Sequence, residues 1–173
     1  MGPRRQRAVD PVAPARRGSE DRSGRGHALI VGRGANEMTT ATAGTEVDWD
    51  ALREAAVRAA QTAYCPYSGL QVGAAAVCSD GRVVTGCNVE NASYGVGLCA
   101  ECTMAGQLQL TGGGRFVAVA CRSGAGELLM PCGRCRQVLY ELGGPECLVD
   151  TPDGVLPMTR VLPAAFGPAD LPA

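Results

Sequence analysis

Behind Asp48, the apolar residues Leu52, Ala55, Ala56, Ala59 and Ala63 recur at helical spacing, with Asp48 placed to cap the helix start. Pro66 holds Cys65 extended, so this helix is expected to stop before it. Residues 72–78 are apolar almost throughout and predict a buried strand. Ser79-Asp80-Gly81 supplies a hairpin turn and residues 83–89 the returning strand. A glycine-containing loop, 94–98, leads into a second helix over 100–110, which Gly112-Gly113-Gly114 ends. Residues 116–121 form another short apolar strand. A third helix is predicted over 132–142, with Pro131 in front and Gly143-Gly144 behind. Residues 147–150 and 155–159 read as short strands, and Pro163, Gly167, Pro168 and Pro172 make the end irregular.

The order helix, hairpin, helix, strand, helix, strand predicts an α/β fold: a mixed sheet of about five strands with helices packed against it. The step from Cys99 to Cys132 has about the length of a crossover, so two helix starts can lie side by side at one sheet edge. Each start carries a cysteine. Helix N-termini favour anions, which is expected to lower the thiol pKa and ready both for a metal.

Composition narrows the picture. With 173 residues, 46% hydrophobic and 19% charged, the chain fits one soluble domain and an extension. Residues 1–37 hold eight arginines against four acids, residues 38–173 eight against thirteen, and lysine is absent. The acidic body argues against broad nucleic-acid binding, which needs clustered cations. No apolar run is long enough for a membrane span. Nine cysteines, an odd number including a Cys-x-x-Cys pair, suit a reducing cytoplasm and metal ligation better than a disulfide framework. Asn91-Ala92-Ser93 matches a glycosylation triplet, read as chance without a secretory signal.

Residues 1–45 are expected to be a disordered arginine-rich extension, and residues 46–173 the folded domain. Arg4-Arg5 and Arg16-Arg17 lack the adjoining apolar core of an export signal. Met38 is an alternative start, and a nucleic-acid-binding arm is the competing reading of the extension. The sole histidine, His27, falls in it, so a metal in the body must rely on Cys, Asp or Glu.

Cys132 and Cys135 are three apart and, on a helical turn, can grip one metal. Cys99 adds a third thiolate and leaves the fourth tetrahedral position to water, the arrangement of catalytic zinc. Glu101, two residues beyond Cys99, points elsewhere on a helix and reads as an acid or base over that water. A Cys-x-x-Cys alone is more often structural or redox; Cys99-Ala100-Glu101 upstream shifts the reading to catalysis. Cys65, Cys78, Cys87, Cys121 and Cys147 read as small buried hydrophobes, and Tyr64, Tyr140 and Trp49 as packing residues.

Four ordered blocks between about residues 63 and 171 resemble the small, single-domain, homotetrameric branch of the cytidine deaminases. They are Tyr64-Cys65-Pro66-Tyr67-Ser68 with Val72-Gly73-Ala74-Ala75; Gly86 to Gly95; Pro131 to Val138 after Cys99-Ala100-Glu101; and Leu162-Pro163 with Phe166 to Leu171. The pattern of three zinc thiolates with a non-ligand Glu is that of zinc deaminases. The resemblance implies a three-layer sandwich with helices on both faces and one Zn2+ per subunit, held by Cys99, Cys132 and Cys135. It implies hydrolytic deamination of cytidine and deoxycytidine to uridine and deoxyuridine plus ammonia, a pyrimidine-salvage reaction, with Glu101 as proton shuttle. It also implies that Asn88 and Glu90 hold the ribose 3′-hydroxyl and that Ala100 offers its N–H to the pyrimidine. Tyr94 and Phe166 would reach a neighbouring subunit's site and Tyr67 would line subunit contacts, giving composite active sites in a homotetramer. Asn88 and Glu90, two apart at a strand end, share one face and suit one sugar edge, which points to a nucleoside and not free cytosine.

Two positions depart from the family pattern. Cys102 stands where an arginine commonly follows the Cys-Ala-Glu triplet, leaving helix dipoles and Arg134 or Arg136 to temper the thiolates' charge. Cys102 is expected not to be a fourth ligand. Leu70 stands where the family usually has Phe. The rival readings are a deaminase of another aminopyrimidine and a zinc-stabilised RNA-binding module. Against the latter, only 4% of residues are aromatic.

Overall fold

The computed structural model describes residues 39–40 and 46–172. The rest of the expected extension lies outside the described residues, and Thr39–Thr40 (β1) pairs antiparallel with Glu46–Val47 (β2). Helix α1, Trp49–Ala60, starts as its sequence demands: the Asp48 carboxylate accepts from the Ala51 N–H. It ends at Ala60, before Ala63, in a turn closed by Thr62 and Ala63.

The sheet runs β4-β3-β5-β6-β7, with β3 Val72–Cys78, β4 Val83–Cys87, β5 Phe116–Ser123, β6 Leu148–Thr151 and β7 Gly154–Pro157. All pairs are antiparallel except β5 and β6, which α3, Gly133–Gly143, connects. Helix α1 covers one face, where Leu52 and Ala56 meet Ala75, Val77, Ala118 and Ala120. Helix α2, Ala100–Leu110, packs on the other with α3, where Met104, Leu108 and Leu139 meet Ala74, Ala76, Val119 and Val149. The expected α/β three-layer sandwich with a mixed five-stranded sheet is what forms.

Two glycines let the β3–β4 hairpin touch both helical layers at backbone distance. A Cβ on Gly73 would lie 2.0 Å from the Ala56 carbonyl oxygen in α1. One on Gly86 would lie 2.4 Å from the Ala100 carbonyl oxygen, at the start of α2. The Thr103 hydroxyl closes the second contact by donating to the Cys87 carbonyl.

Element ends differ from the sequence reading where tertiary contacts decide. Strand β4 stops at Cys87, and Val89 instead bridges Tyr64 and Leu98. Strand β7 ends at Pro157, and a short helix α4, Met158–Val161, follows because Met158 is drawn into the core. Cys65 and Cys87 are half-buried and Tyr64 is exposed, unlike the buried Cys78, Cys121, Cys147 and Trp49.

Buried charge ties α1 to the sheet. The Asp150 carboxylate on β6 accepts from Arg53 of α1 at 2.9 and 3.1 Å, and from Arg122 on β5. Burial alone would raise the Asp150 pKa, but the two guanidiniums outweigh it and hold it below its usual value.

Candidate active site

Helices α2 and α3 begin side by side, and each begins on a cysteine. Cys99 is the N-cap of α2, Cys132 the N-cap of α3, and Cys135 sits in the first turn of α3. Cys132 is thus the residue before the helix and not its first member. The three Sγ atoms lie within 4.8 Å of one another, with Cys99 and Cys132 4.0 Å apart. Sulfurs about 2.3 Å from one zinc in tetrahedral array stand about 3.8 Å apart, so the trio fits that ion with little adjustment. Among the described residues no other His, Cys, Asp or Glu group of three gathers this closely, and Cys102 is outside the group.

The protein treats the three thiols unequally. Backbone N–H groups of the α3 start, that of Cys135 foremost, hold the Cys132 pKa down. Burial pushes Cys99 and Cys135 up, Cys135 the more so because Glu101 lies beside it. The expected lowering at a helix start therefore holds for Cys132, while at Cys99 burial wins. Ligation must displace these protons.

Glu101 lies in the first turn of α2 and is 4% exposed. Its Oε1 accepts a long hydrogen bond, 3.6 Å, from the Cys121 thiol on β5. Burial pushes the Cys121 thiol well up, so it stays a donor and aims the carboxylate without taking its charge. Cys99, Ala100, Glu101 and Cys132 open on a cavity of about 570 Å³, a size that suits a small organic ligand. Its walls are Leu70, Val72, Leu98, Leu129 and Met130, with Asn88, Glu90 and Tyr94 at the polar side. As the first residue of α2, Ala100 has an N–H without an intrahelical acceptor.

Asn88 and Glu90 both face the loop before β3. Asn88 accepts from the Val72 N–H at 2.8 Å and donates to the Leu70 carbonyl at 2.9 Å. Glu90 accepts from the Tyr67 and Ser68 N–H groups at 2.9 and 3.2 Å and from the Ser68 hydroxyl. The Ser68 hydroxyl and these N–H groups hold its pKa below the usual carboxylate value.

Tyr67 lines a neighbouring hollow with Ser68, Glu90, Asn91 and Tyr94, its ring 6.5 Å from that of Tyr94 in an edge-to-face pair. Phe166 lines neither hollow; it is exposed, and its carbonyl accepts from Gln137 at 2.8 Å. Sequence reasoning missed two features, and the structure chose between the two arginines it offered. Leu129 and Met130 are wall residues, signalled only by their place before Pro131. Cys121 reaches Glu101 across 20 residues of chain, and no local pattern marks it. Arg134, lying between two of the cysteines, donates to the Cys99 sulfur at 3.6 Å, whereas Arg136 turns to the Pro131 and Val161 carbonyls.

A profile of the cytidine and deoxycytidylate deaminase zinc-binding region matches residues 47–151. The cytidine deaminase of Mycobacterium tuberculosis (strain H37Rv) is 59% identical over 127 residues, which are 73% of this chain and 96% of that protein. The crystal structure of cytidine deaminase from M. tuberculosis superposes with a TM-score of 0.69 at 60% identity, covering 70% of this chain and 98% of the other. That of cytidine deaminase from Mycobacterium leprae gives 0.67 at 59% identity, covering 68% and 98%.

Proposed function

The chain belongs to the cytidine deaminase family, and from that premise we propose that Glu101 carries its hydrolytic deamination of cytidine over a zinc held by Cys99, Cys132 and Cys135. The observation that carries this reading is the buried Glu101 carboxylate, which shares one cavity with Cys99 and Cys132 without completing the metal set. Zinc held by these residues would supply Lewis acidity, which lowers the pKa of a bound water to about 7. Glu101 takes the proton that the attacking water must lose and delivers it to N3 of the pyrimidine. The water oxygen adds at C4. Glu101 then moves a second proton to the exocyclic amine, the C4–N bond breaks, and ammonia leaves with uridine behind. The Ala100 N–H holds the ring, while Leu70, Leu129 and Met130 keep bulk water from it.

Asn88 and Glu90 recognise the ribose 3′-hydroxyl, so cytidine and deoxycytidine are substrates and free cytosine is not. Both already brace the Tyr67–Val72 loop, so a sugar hydroxyl joins a fixed set of oxygens. Residues 46–173 constitute the deaminase domain. The nine free cysteines suit a reducing cytoplasm, and among the described residues no helix is long and apolar enough to cross a membrane. The exposed apolar side chains of Tyr67, Leu70, Tyr94, Val96, Leu98 and Phe166 supply the contact surface of a homotetramer. A solution mass below four times 17.8 kDa at working concentration would remove that assembly.

The test is ultraviolet absorbance of cytidine beside free cytosine, with wild type and Glu101→Gln. Wild type converts only the nucleoside, and the variant is slower by about 10²–10⁴-fold. Turnover by Glu101→Gln within about tenfold of wild type would end the proton-shuttle role.

A further inference from the structure

Zinc with three thiolates carries a net charge of −1 before any negative oxygen joins it. The site that must hold this charge is walled by Leu70, Leu98, Leu129 and Met130, and its third cysteine, Cys135, is fully buried. A cation within reach of the sulfurs would offset that charge beyond what the two helix starts supply. Cys102, three residues beyond Cys99 in α2, is not a cation and brings none.

Arg134 is placed for this work. It lies in the first turn of α3, between Cys132 and Cys135, and its Nη2 reaches back to α2. That nitrogen lies 3.6 Å from the Cys99 sulfur and 3.3 Å from the Gly97 carbonyl oxygen. One guanidinium thus touches the ligand from α2 and the loop that delivers it, while riding on the helix that carries the other two ligands. Arg136 cannot substitute, because its Nε and Nη1 are spent on Pro131 and Val161 carbonyls at 2.8 and 3.3 Å.

We propose that Arg134 balances the charge of the zinc–thiolate group and fixes Cys99 toward the metal by hydrogen bonding to its sulfur. This rests on the zinc reading above and adds a residue to it. A cation on the Cys99 sulfur draws electron density from the thiolate, so the metal keeps more of its Lewis acidity. It also makes a net negative centre tolerable in an apolar wall. Arg134 is a positioning residue: it acts through the sulfur of Cys99.

The test uses the zinc-loaded full chain and the variants Arg134→Lys, Arg134→Gln and Arg134→Glu. Arg58→Gln, which removes an exposed arginine paired with Glu54, serves as the control for lost charge. Zinc retention is read by competition with a chromogenic chelator, and the sulfur environment by the sulfur-to-metal charge-transfer band of the cobalt-substituted protein. Arg134→Gln is expected to hold zinc about 10–100-fold more weakly, with its cobalt band at longer wavelength. Arg134→Glu is weaker still, Arg134→Lys recovers most of the loss, and Arg58→Gln matches wild type. Zinc retention and band position unchanged in Arg134→Gln would overturn the proposal. So would Arg134→Lys as weak as Arg134→Gln, since the Gly97 brace and not the charge would then matter. Cytidine turnover by wild type is scored separately: its absence would defeat the deaminase reading, while the chelator and cobalt results would still decide the role of Arg134.

Discussion

The two faces of the sheet handle buried carboxylates in opposite ways. On the α1 face, Asp150 is closed in by Arg53 and Arg122, and every oxygen has a cationic partner. On the α2 face, Glu101 is as deeply buried, yet it accepts only a long hydrogen bond from the Cys121 thiol among the described residues. A carboxylate locked between guanidiniums can neither take nor give a proton at neutral pH. One at the edge of a cavity, with no cationic partner among the described residues, is instead placed to meet a ligand. The difference separates a clasp from a working group, although the two residues share chemistry and depth.

Substitutions should split along that line. The largest effect is expected from Glu101→Gln, which loses about 10²–10⁴-fold in kcat while its thermal melt stays near wild type. A melt lowered as much as the activity would make Glu101 a second clasp. Next comes Asp150→Ala, which strands Arg122 in the interior and should cost about 3–5 kcal/mol in urea unfolding, with turnover per zinc-loaded molecule retained. Acid should reveal the same clasp in the unmodified protein. A carboxylate whose folded pKa is depressed contributes fully above its unfolded value of about 3.9 and loses that contribution as pH falls through the folded value. Urea midpoints taken toward low pH should therefore fall more steeply for wild type than for Asp150→Asn. Equal slopes would mean the pair stores no pH-dependent stability.

The smallest changes sharpen the comparison further. Gly73→Ala and Gly86→Ala each force a methyl against helix backbone and should each cost about 1–3 kcal/mol. Only Gly86→Ala presses on Ala100, the residue between Cys99 and Glu101, so it alone should also lower kcat. Equal turnover in the two would show that α2 can shift without disturbing the site.

Much of this was legible before any coordinates. Residues 72–78 and 100–110 declare their strand and helix because the signals are local: an apolar run before a turn, and a helix closed by glycines. The zinc cysteines were legible because a crossover length separates the two helix starts. What stayed hidden is made by distance along the chain. Arg53 and Asp150 are 97 residues apart, and nothing near either announces the other. Met158 reads as part of a strand until the core claims it and turns the chain into α4. Arg134 was one of two candidates, and only the direction of its side chain separates it from Arg136.

Strand β5 serves both faces with consecutive residues: Cys121 faces Glu101 and Arg122 faces Asp150. Its phase is set near its start, where the pairing with β3 jumps from Ala118 to Phe116 and leaves Val117 as the odd residue. The strand therefore behaves like a reading frame. A slip of one residue would turn the guanidinium toward the cavity and the thiol toward α1, exchanging the clasp and the working group in a single step. Insertions or deletions ahead of Cys121 should be far more damaging than any point change there, because they rewrite which side of the sheet does chemistry.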